Sequence, residues 1–211
     1  GKSPPDANHE RRVLMDRFDA TASLYVLRDG EGALVGTLRI NHLAALESAQ
    51  EALSPIPLEP LLEQAPLKNL SYTSRLMLRA DWRGGSSLGL LCNRIFADGL
   101  DQGMRFDLCH AHPGLIELYE QLGYRRFCAG ITLPGVGYQV PMLLALRDRA
   151  HLRRCRSPLM RNPALARVLE SEDNAEGDRL WLAQQSQRYW GLNHRLVDPD
   201  HFWALAGDAL R

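Results

Sequence analysis

The chain has 211 residues, 45% of them hydrophobic, and its 25 Lys and Arg are balanced by 25 Asp and Glu. That length supports one substantial core, or one domain with a sizeable extension, and the zero net charge gives no electrostatic reason for a nucleic-acid or membrane-surface partner. No apolar run reaches the roughly 18 residues that a bilayer span requires. The opening residues, GKSPPDANHERR, lack the apolar stretch of a signal peptide, so 1–15 read as a disordered lead or an appended remnant. Cys92, Cys109, Cys128 and Cys155 form no Cys-x-x-Cys pair, which argues against a zinc knuckle. The apolar settings of Cys92, Cys109 and Cys128 predict reduced core or near-core thiols of a cytoplasmic protein rather than disulfides or nucleophiles.

Two apolar runs flank Asp29-Gly30-Glu31-Gly32. Asp-Gly supplies the positive φ of a hairpin turn, so strands are expected at 23–28 and 33–41. Pro55, Pro57 and Pro60 then punctuate a short helical or irregular region. Residues 70–80, LSYTSRLMLRA, predict a strand. Leu88, Leu91, Cys92 and Ile95 share one helical face, with Gly99 as its expected end. A short strand follows at 105–110. Leu115, Leu118, Tyr119 and Leu122 repeat the helical spacing, and Gly123 is the expected cap. Strands are expected again at 124–133 and 138–147, the second an edge or bulged strand because it contains Pro141. From 148 the pattern is helical, with Asn162-Pro163 and Asp198-Pro199 as N-cap and first-turn pairs. The order predicts an α/β sheet of mixed strand arrangement.

The first stretch with chemical content is strand 70–80, loop 81–87 and helix 88–100. A Gly-containing loop before a helix aims backbone N–H groups, and about half a positive charge, at whatever lies in front of it. Arg83 adds a full charge, and Ser86 and Ser87 add hydroxyl donors. Many such turns bind nothing, so the loop gains meaning only from a second motif.

That motif is LYEQLGYRRF, 118–127. It resembles the Tyr-x-x-Leu-Gly-aromatic helix end of the Gcn5-related N-acetyltransferase superfamily, at that superfamily's spacing after the loop and the next short strand. Residues 24–133 resemble its fold. DRFDATASLYVLRDGEGALVGTLRI, YTSRLMLRADWRG and YQVPMLLALRDRAHLRRCRSPL resemble the acyl-carrier-dependent branch, which holds the N-acyl amino acid synthases and the acyl-homoserine-lactone synthases. This likeness spans residues 16–160. It departs from the pattern at the loop, where Ser86 and Leu88 stand at positions for small residues and the glycines sit at 84, 85 and 89. It departs also at Tyr72, where lactone synthases have Glu two positions before Ser-Arg, and at His112, where the superfamily has Asn.

The resemblance implies a mixed, mostly antiparallel central sheet flanked by helices over 16–147, with a C-terminal helical extension at 148–211. It implies acyl transfer to an amine, such as an amino acid, from a phosphopantetheine thioester on acyl carrier protein or CoA, with no covalent cofactor and no metal. Backbone groups of Leu78, Arg79 and Ala80 would pair with the pantetheine amides. Arg83, Gly84, Gly85, Ser86, Ser87, Leu88 and Gly89 would cradle its phosphate. A CoA-dependent acetyltransferase, a lactone-type synthase and a non-catalytic acyl-binding module remain alternatives.

Acyl transfer needs a polarised carbonyl, a neutral amine and a proton for the departing thiolate. Tyr119 is the candidate acid, with core packing as its other reading, since a tyrosine can bury its ring and still present its hydroxyl. His110 and His112 flank the end of strand 105–110. Either could titrate usefully, or serve at the surface or as a cap, and His112 stands as the candidate base. Arg39 and Arg75 are charges in apolar strands, costly unless paired or at a cavity. Either an acceptor carboxylate or outward exposure would account for them. The basic run 147–156 suits docking of an acidic carrier protein, or is a solvated face. Trp181, Tyr189, Trp190, Phe202 and Trp203 would line an acyl pocket or fasten the tail to the sheet.

Overall fold

A computed structural model of the chain describes residues 7–8, 10, 13–84, 86–168 and 175–195. Within the expected disordered lead, β1 (Ala7–Asn8) pairs antiparallel with β2 (Val13–Leu14). The hairpin expected around Asp29-Gly30 forms, with β3 at Ser23–Arg28 and β4 at Leu34–His42. The Asp29 side chain accepts from the amides of Glu31 and Ala33, and Gly32 takes a φ of +86°. Two short helices, α1 (Ala49–Leu53) and α2 (Glu59–Gln64), fill the proline-punctuated stretch.

The seven-stranded sheet runs β3-β4-β5-β6-β9-β7, with β8 also on β9. Here β5 is Leu70–Leu78, β6 Phe106–Ala111, β7 Arg125–Arg126, β8 Ile131–Leu133 and β9 Gly137–Ala145. All pairings are antiparallel except β5 with β6. The single strand expected over 124–133 is two, and the break lies opposite Val140 and Pro141 of β9. β9 lies between β6 and the β7/β8 pair, so it is no edge strand. Phe127 N–H donates to Pro141 C=O, so the proline nitrogen, which cannot donate, faces the same side. There the neighbouring strand is interrupted, and no ladder bond is lost.

Strand alternation divides the core in two. On one face Leu70, Tyr72, Phe106, Leu108 and Leu143 pack with α1 and α2 and with Leu182 of α7 (Ala175–Arg195). On the other, Cys109, Met142 and Leu144 meet α3 (Ser87–Asp101), α4 (Ile116–Leu122), α5 (Arg149–Arg154) and α6 (Pro163–Val168). α3 runs past Gly99 to Asp101. Gly99 is instead a close-approach position, where a Cβ would meet Leu146 at 3.0 Å, and Gly103, with φ +76°, follows the helix end. Gly123 does cap α4 in the left-handed region, and Tyr119 C=O accepts from both Gly123 and Tyr124. Asn162 caps α6 through Ala164 N–H; Asp198-Pro199 lies outside the described residues. All four cysteines are free, and burial raises their thiol pKa values, that of Cys92 to about 12.

α7 enters the core directly. Trp181 lies 5.4 Å from Phe106 and 6.3 Å from Phe127, ring to ring. Buried Asp178 receives Arg105 and Gln64. Phe202 and Trp203 lie outside the described residues, as do the side chains of Tyr189 and Trp190. Leu182 is fully buried, so Leu182→Ala is expected to cost about 2–5 kcal/mol in urea unfolding at constant m-value. A loss below about 0.5 kcal/mol, the range of surface substitutions, would mean that α7 stands apart from the core.

Candidate functional site

β5 and β6 pair in parallel only over Leu70–Tyr72 and Phe106–Leu108. Past those residues the ladder stops. The cause lies partly in β5: Thr37 pairs with Met77 but Arg39 with Ser74, so Arg75 and Leu76 stand opposite Leu38 alone. This bulge puts Arg75 at φ +55°, a left-handed conformation that costs a non-glycine residue about 1–2 kcal/mol. A bulge turns its strand, and here β5 leaves β6, opening a gap between them.

Behind the gap, on the α3 side, lies a narrow cavity. Leu76, Cys92, Phe96, Tyr119 and Leu144 line it, and Ser71, Thr73 and Asp107 form a polar strip on its sheet wall. Tyr119 is 8% exposed, its ring edge-on to Tyr124 at 5.4 Å. Burial pushes its phenol pKa well up, so the hydroxyl is a proton donor at neutral pH.

The opposite face carries Arg39, Arg75 and the carboxylates that pair with them. Arg39, 3% exposed, gives Nε to Ser74 at 3.0 Å, Nη1 to Asp16 and Asp19 at 2.7 Å each, and Nη2 to Asp16 at 3.1 Å. Its fork is filled by the chain's own carboxylates. This corrects the expectation that Arg39 receives an acceptor: it holds Asp16 in place. Arg75 gives one nitrogen to Asp16 at 2.7 Å and remains about one-quarter exposed at 23%. Burial works against the Asp16 charge, but bonds from Arg39 and Arg75 outweigh it and hold its pKa below the ordinary value. Asn41 Nδ2 takes Phe18 C=O at 2.7 Å, and Phe18 packs on Tyr72 at 5.3 Å. Segment 16–21 is thus pinned over this face of the gap.

At the gap's edge, Tyr72 Oη and His110 Nδ1 are 2.9 Å apart. Burial lowers the His110 pKa, which keeps the ring neutral near pH 7. His112 is exposed and caps the turn Pro113–Leu115, its Nδ1 accepting from Gly114 N–H at 3.2 Å. The structure therefore favours His110 over His112 as the histidine at the gap.

The loop after β5 is more occupied than expected. Arg79 N–H donates to Val35 C=O on β4, not toward the gap, and its side chain pairs with Asp81 at 2.8 Å and stacks over Trp82. Because adjacent residues alternate, Leu78 turns its peptide groups to the open edge, where its carbonyl accepts from Arg83 Nε at 3.1 Å. Ala80 begins a one-turn helix through Trp82. Gly84 is left-handed at φ +78°, and a Cβ at Gly84 or Gly89 would meet nothing within 4 Å. Ser86 and Leu88 flank buried Ser87 at the α3 start, and the Ser86 side chain makes no cap bond. Gly85 lies outside the described residues.

No protein-family model and no curated protein matches the sequence. Solved structures do. FeeM, an N-acyl amino acid synthase from uncultured soil microbes, aligns at 18% identity with a TM-score of 0.50, covering 60% of this chain and 73% of its own. BjaI, a CoA-dependent acyl-homoserine lactone synthase, aligns at 17% and 0.51, covering 78% and 82%. MesI, another such lactone synthase, aligns at 15% and 0.50, covering 69% and 72%. The chain has the fold of these acyl synthases. At such identities the likeness is one of fold, and it matches the branch that the motifs resemble. Within this synthase fold, the parts that sequence reasoning missed are Asp16, Asp19 and the Tyr72–His110 contact. The first two were signalled by Arg39, since a cation inside a strand needs a nearby anion. The contact depends on the parallel register of β5 and β6, which no local pattern encodes.

Removing one partner of a buried ion pair typically costs about 3–5 kcal/mol. Asp16 and Asp19 keep some solvent contact, so Arg39→Met is expected to lose about 3 kcal/mol, at the low end of that range. The Asp16 share should be complete above its unfolded pKa near 4 and fall away as pH drops below it, because the folded pKa is depressed. Urea unfolding across pH 3–7 checks both, at pH values around that pKa; an Arg39→Met variant as stable as wild type would mean the network contributes little.

Proposed function

We propose that this chain is an N-acyltransferase that moves a medium or long acyl group from a phosphopantetheine thioester to an amine. The observation that carries this reading is the β5/β6 gap opening onto an apolar cavity on one face and onto a charged, histidine-bearing surface on the other. The arm enters from the Leu78 end of β5, where Arg83 and the N-terminus of α3 meet its phosphate. The thioester rests in the gap, and its chain turns into the cavity. A single phosphodiester suits this loop better than a pyrophosphate, because small residues are missing at 86 and 88. Acyl carrier protein is therefore the preferred donor over CoA, with the basic 147–156 run as its docking face.

The acceptor approaches from the Asp16 and Arg75 face. Arg75 keeps guanidinium donors beyond its bond to Asp16, which suits the carboxylate of an amino acid. The His110 tautomer that donates Nδ1–H to Tyr72 leaves Nε2 with a lone pair for the amine proton. The amine nitrogen bonds to the carbonyl carbon, the carbon–sulfur bond breaks, and Tyr119 on the opposite face protonates the thiolate. Backbone amides on the unpaired edge of β5 stabilise the oxyanion.

The test is thiol release from acyl carrier protein and acyl-CoA with and without an amino-acid pool. Release that requires the amine supports the reading; binding of acyl ligands without turnover would replace it with an acyl-binding module. Tyr119→Phe should lower kcat about tenfold rather than abolish it, because a thiol pKa near 8.5 lets the thiolate leave unassisted. His110→Gln should lower kcat/KM about 10²–10⁴-fold, the usual share of a general base. The wild-type profile should be flat at neutral pH and fall only below the ordinary histidine pKa of about 6.5, because burial depresses this one. A limb above that value, or an unchanged limb in His110→Gln, would assign the base elsewhere.

A further inference from the structure

The cavity is not uniformly apolar, and the exception sits in register. Ser71 on β5 pairs with His42 on β4 and with Asp107 on β6, so three polar side chains cross the sheet on the cavity face. Asp107 is 5% exposed. Ser71 Oγ and Tyr124 Oη each donate to it at 2.5 Å, and no cation pairs with it at salt-bridge distance among the described residues. Thr73, the next residue on the same face toward the bulge, is 7% exposed and lines the cavity. Burial raises the Asp107 pKa, against smaller opposing contributions from Ser71, Tyr124 and nearby Thr73, and the Thr73 hydroxyl makes no hydrogen bond of good geometry among the described residues. A buried hydroxyl left unpaired costs about 1–3 kcal/mol. A valine of the same shape would close this wall without that cost.

The chemistry of acyl transfer does not use these groups. They lie on β5 upstream of the bulge, while the arm enters from Leu78 at the other end. In the acyl-transfer reading, on which this inference rests for the direction of the chain, Thr73 and the Ser71–Asp107 row meet the acyl chain well beyond its carbonyl. The cavity therefore offers an oxygen-seeking strip to a part of the chain that in an ordinary fatty acyl group is only methylene. Burying methylenes there leaves Thr73 unsatisfied, whereas a hydroxyl on the chain can accept from Thr73 and donate to Asp107.

We propose that the acyl donor carries a hydroxyl remote from its thioester, and that Thr73 and Asp107 recognise it. Selectivity follows from the cost of an unpaired site: a pocket built to hydrogen-bond a substrate hydroxyl disfavours the analogue that lacks it.

The test uses three medium-length donors of equal length, ω-hydroxyacyl-CoA, β-hydroxyacyl-CoA and unsubstituted acyl-CoA, and the same three chains loaded on acyl carrier protein. Thiol release is measured with an amino-acid pool. The wild-type protein should prefer the ω-hydroxy donor in kcat/KM by about tenfold, the effect of one good hydrogen bond. Thr73→Val should bring that ratio to about one. Its Tm should be no lower than wild type, since the change removes an unsatisfied polar group, so a lost ratio is not a loss of fold. In parallel, the Tm shift produced by the free ω-hydroxy acid is compared with that of the unsubstituted acid, which reads the cavity without turnover. If no donor is consumed but the ω-hydroxy acid stabilises the wild type more than it does Thr73→Val, the polar strip is supported and the acyl-transfer reading fails. Equal use of all donors overturns the proposal and leaves acyl transfer standing. A preference for the β-hydroxy donor, or a preference that survives in Thr73→Val, also overturns it.

Discussion

The parting of β5 from β6 is the constraint on which the site depends. Two parallel strands normally share a continuous ladder; these share it only from Leu70 to Tyr72 on β5. The extra residue at Arg75 and Leu76 redirects β5, and the left-handed Arg75 backbone stores strain that the surrounding structure must hold in place. It does so with charge. Arg75 is bonded to Asp16, Asp16 to Arg39, and Arg39 to Ser74 beside the bulge. The pinned segment 16–21 therefore stabilises the bulge and also forms one wall of the entrance to the gap. Stability and the proposed function share the same residues here, so the effect of changing them must be separated by measuring folding and turnover together.

In the proposed reaction the gap would also account for a division of labour between the two faces. A closed sheet would isolate Tyr119 from His110 completely, since successive residues on a strand point to opposite sides. With the strands apart, a group lying between them is open to both. In the proposed reaction, an amine and its base would work from the Phe18 side while an acid and an acyl chain occupy the α3 side. Neither α3 nor α4 needs to move for this arrangement. In that reaction the apolar cavity wall would keep water from the chain, and the N-terminus of α3, where Ser86 is exposed and Ser87 buried, would meet the phosphate.

Much of the frame was legible in local sequence. Asp29-Gly30 marked the first hairpin, the spacing of Leu88 to Ile95 marked α3, and Leu122-Gly123 marked the end of α4. These signals act within a few residues, where turn chemistry and helical periodicity apply. Gly99 misled because a glycine can serve close packing as well as a helix end, and only the position of Leu146 decides between them. Pro141 misled for a related reason: it sits in an interior strand, but opposite a break in its neighbour. The site was legible in part. Tyr119 and the α3 loop carried motifs, and the likeness to acyl synthases drew on them. The filling of Arg39 by Asp16 and Asp19, the Tyr72–His110 contact and the Asp107 strip each join residues from different strands. Their register is set by tertiary pairing, which no local window contains.

The central claim is that the thioester lies between β5 and β6. A crystal structure with a non-reactive acyl-pantetheine thioether, in which a methylene separates sulfur from carbonyl, tests it most directly. The account predicts the ketone between the two strands level with the β5 bulge at Arg75 and Leu76, the acyl chain in the cavity running from Tyr119 toward Thr73, and the pantetheine running out past Leu78 to the start of α3. An analogue bound elsewhere, or one whose chain lies on the Phe18 face with the cavity empty, would contradict it.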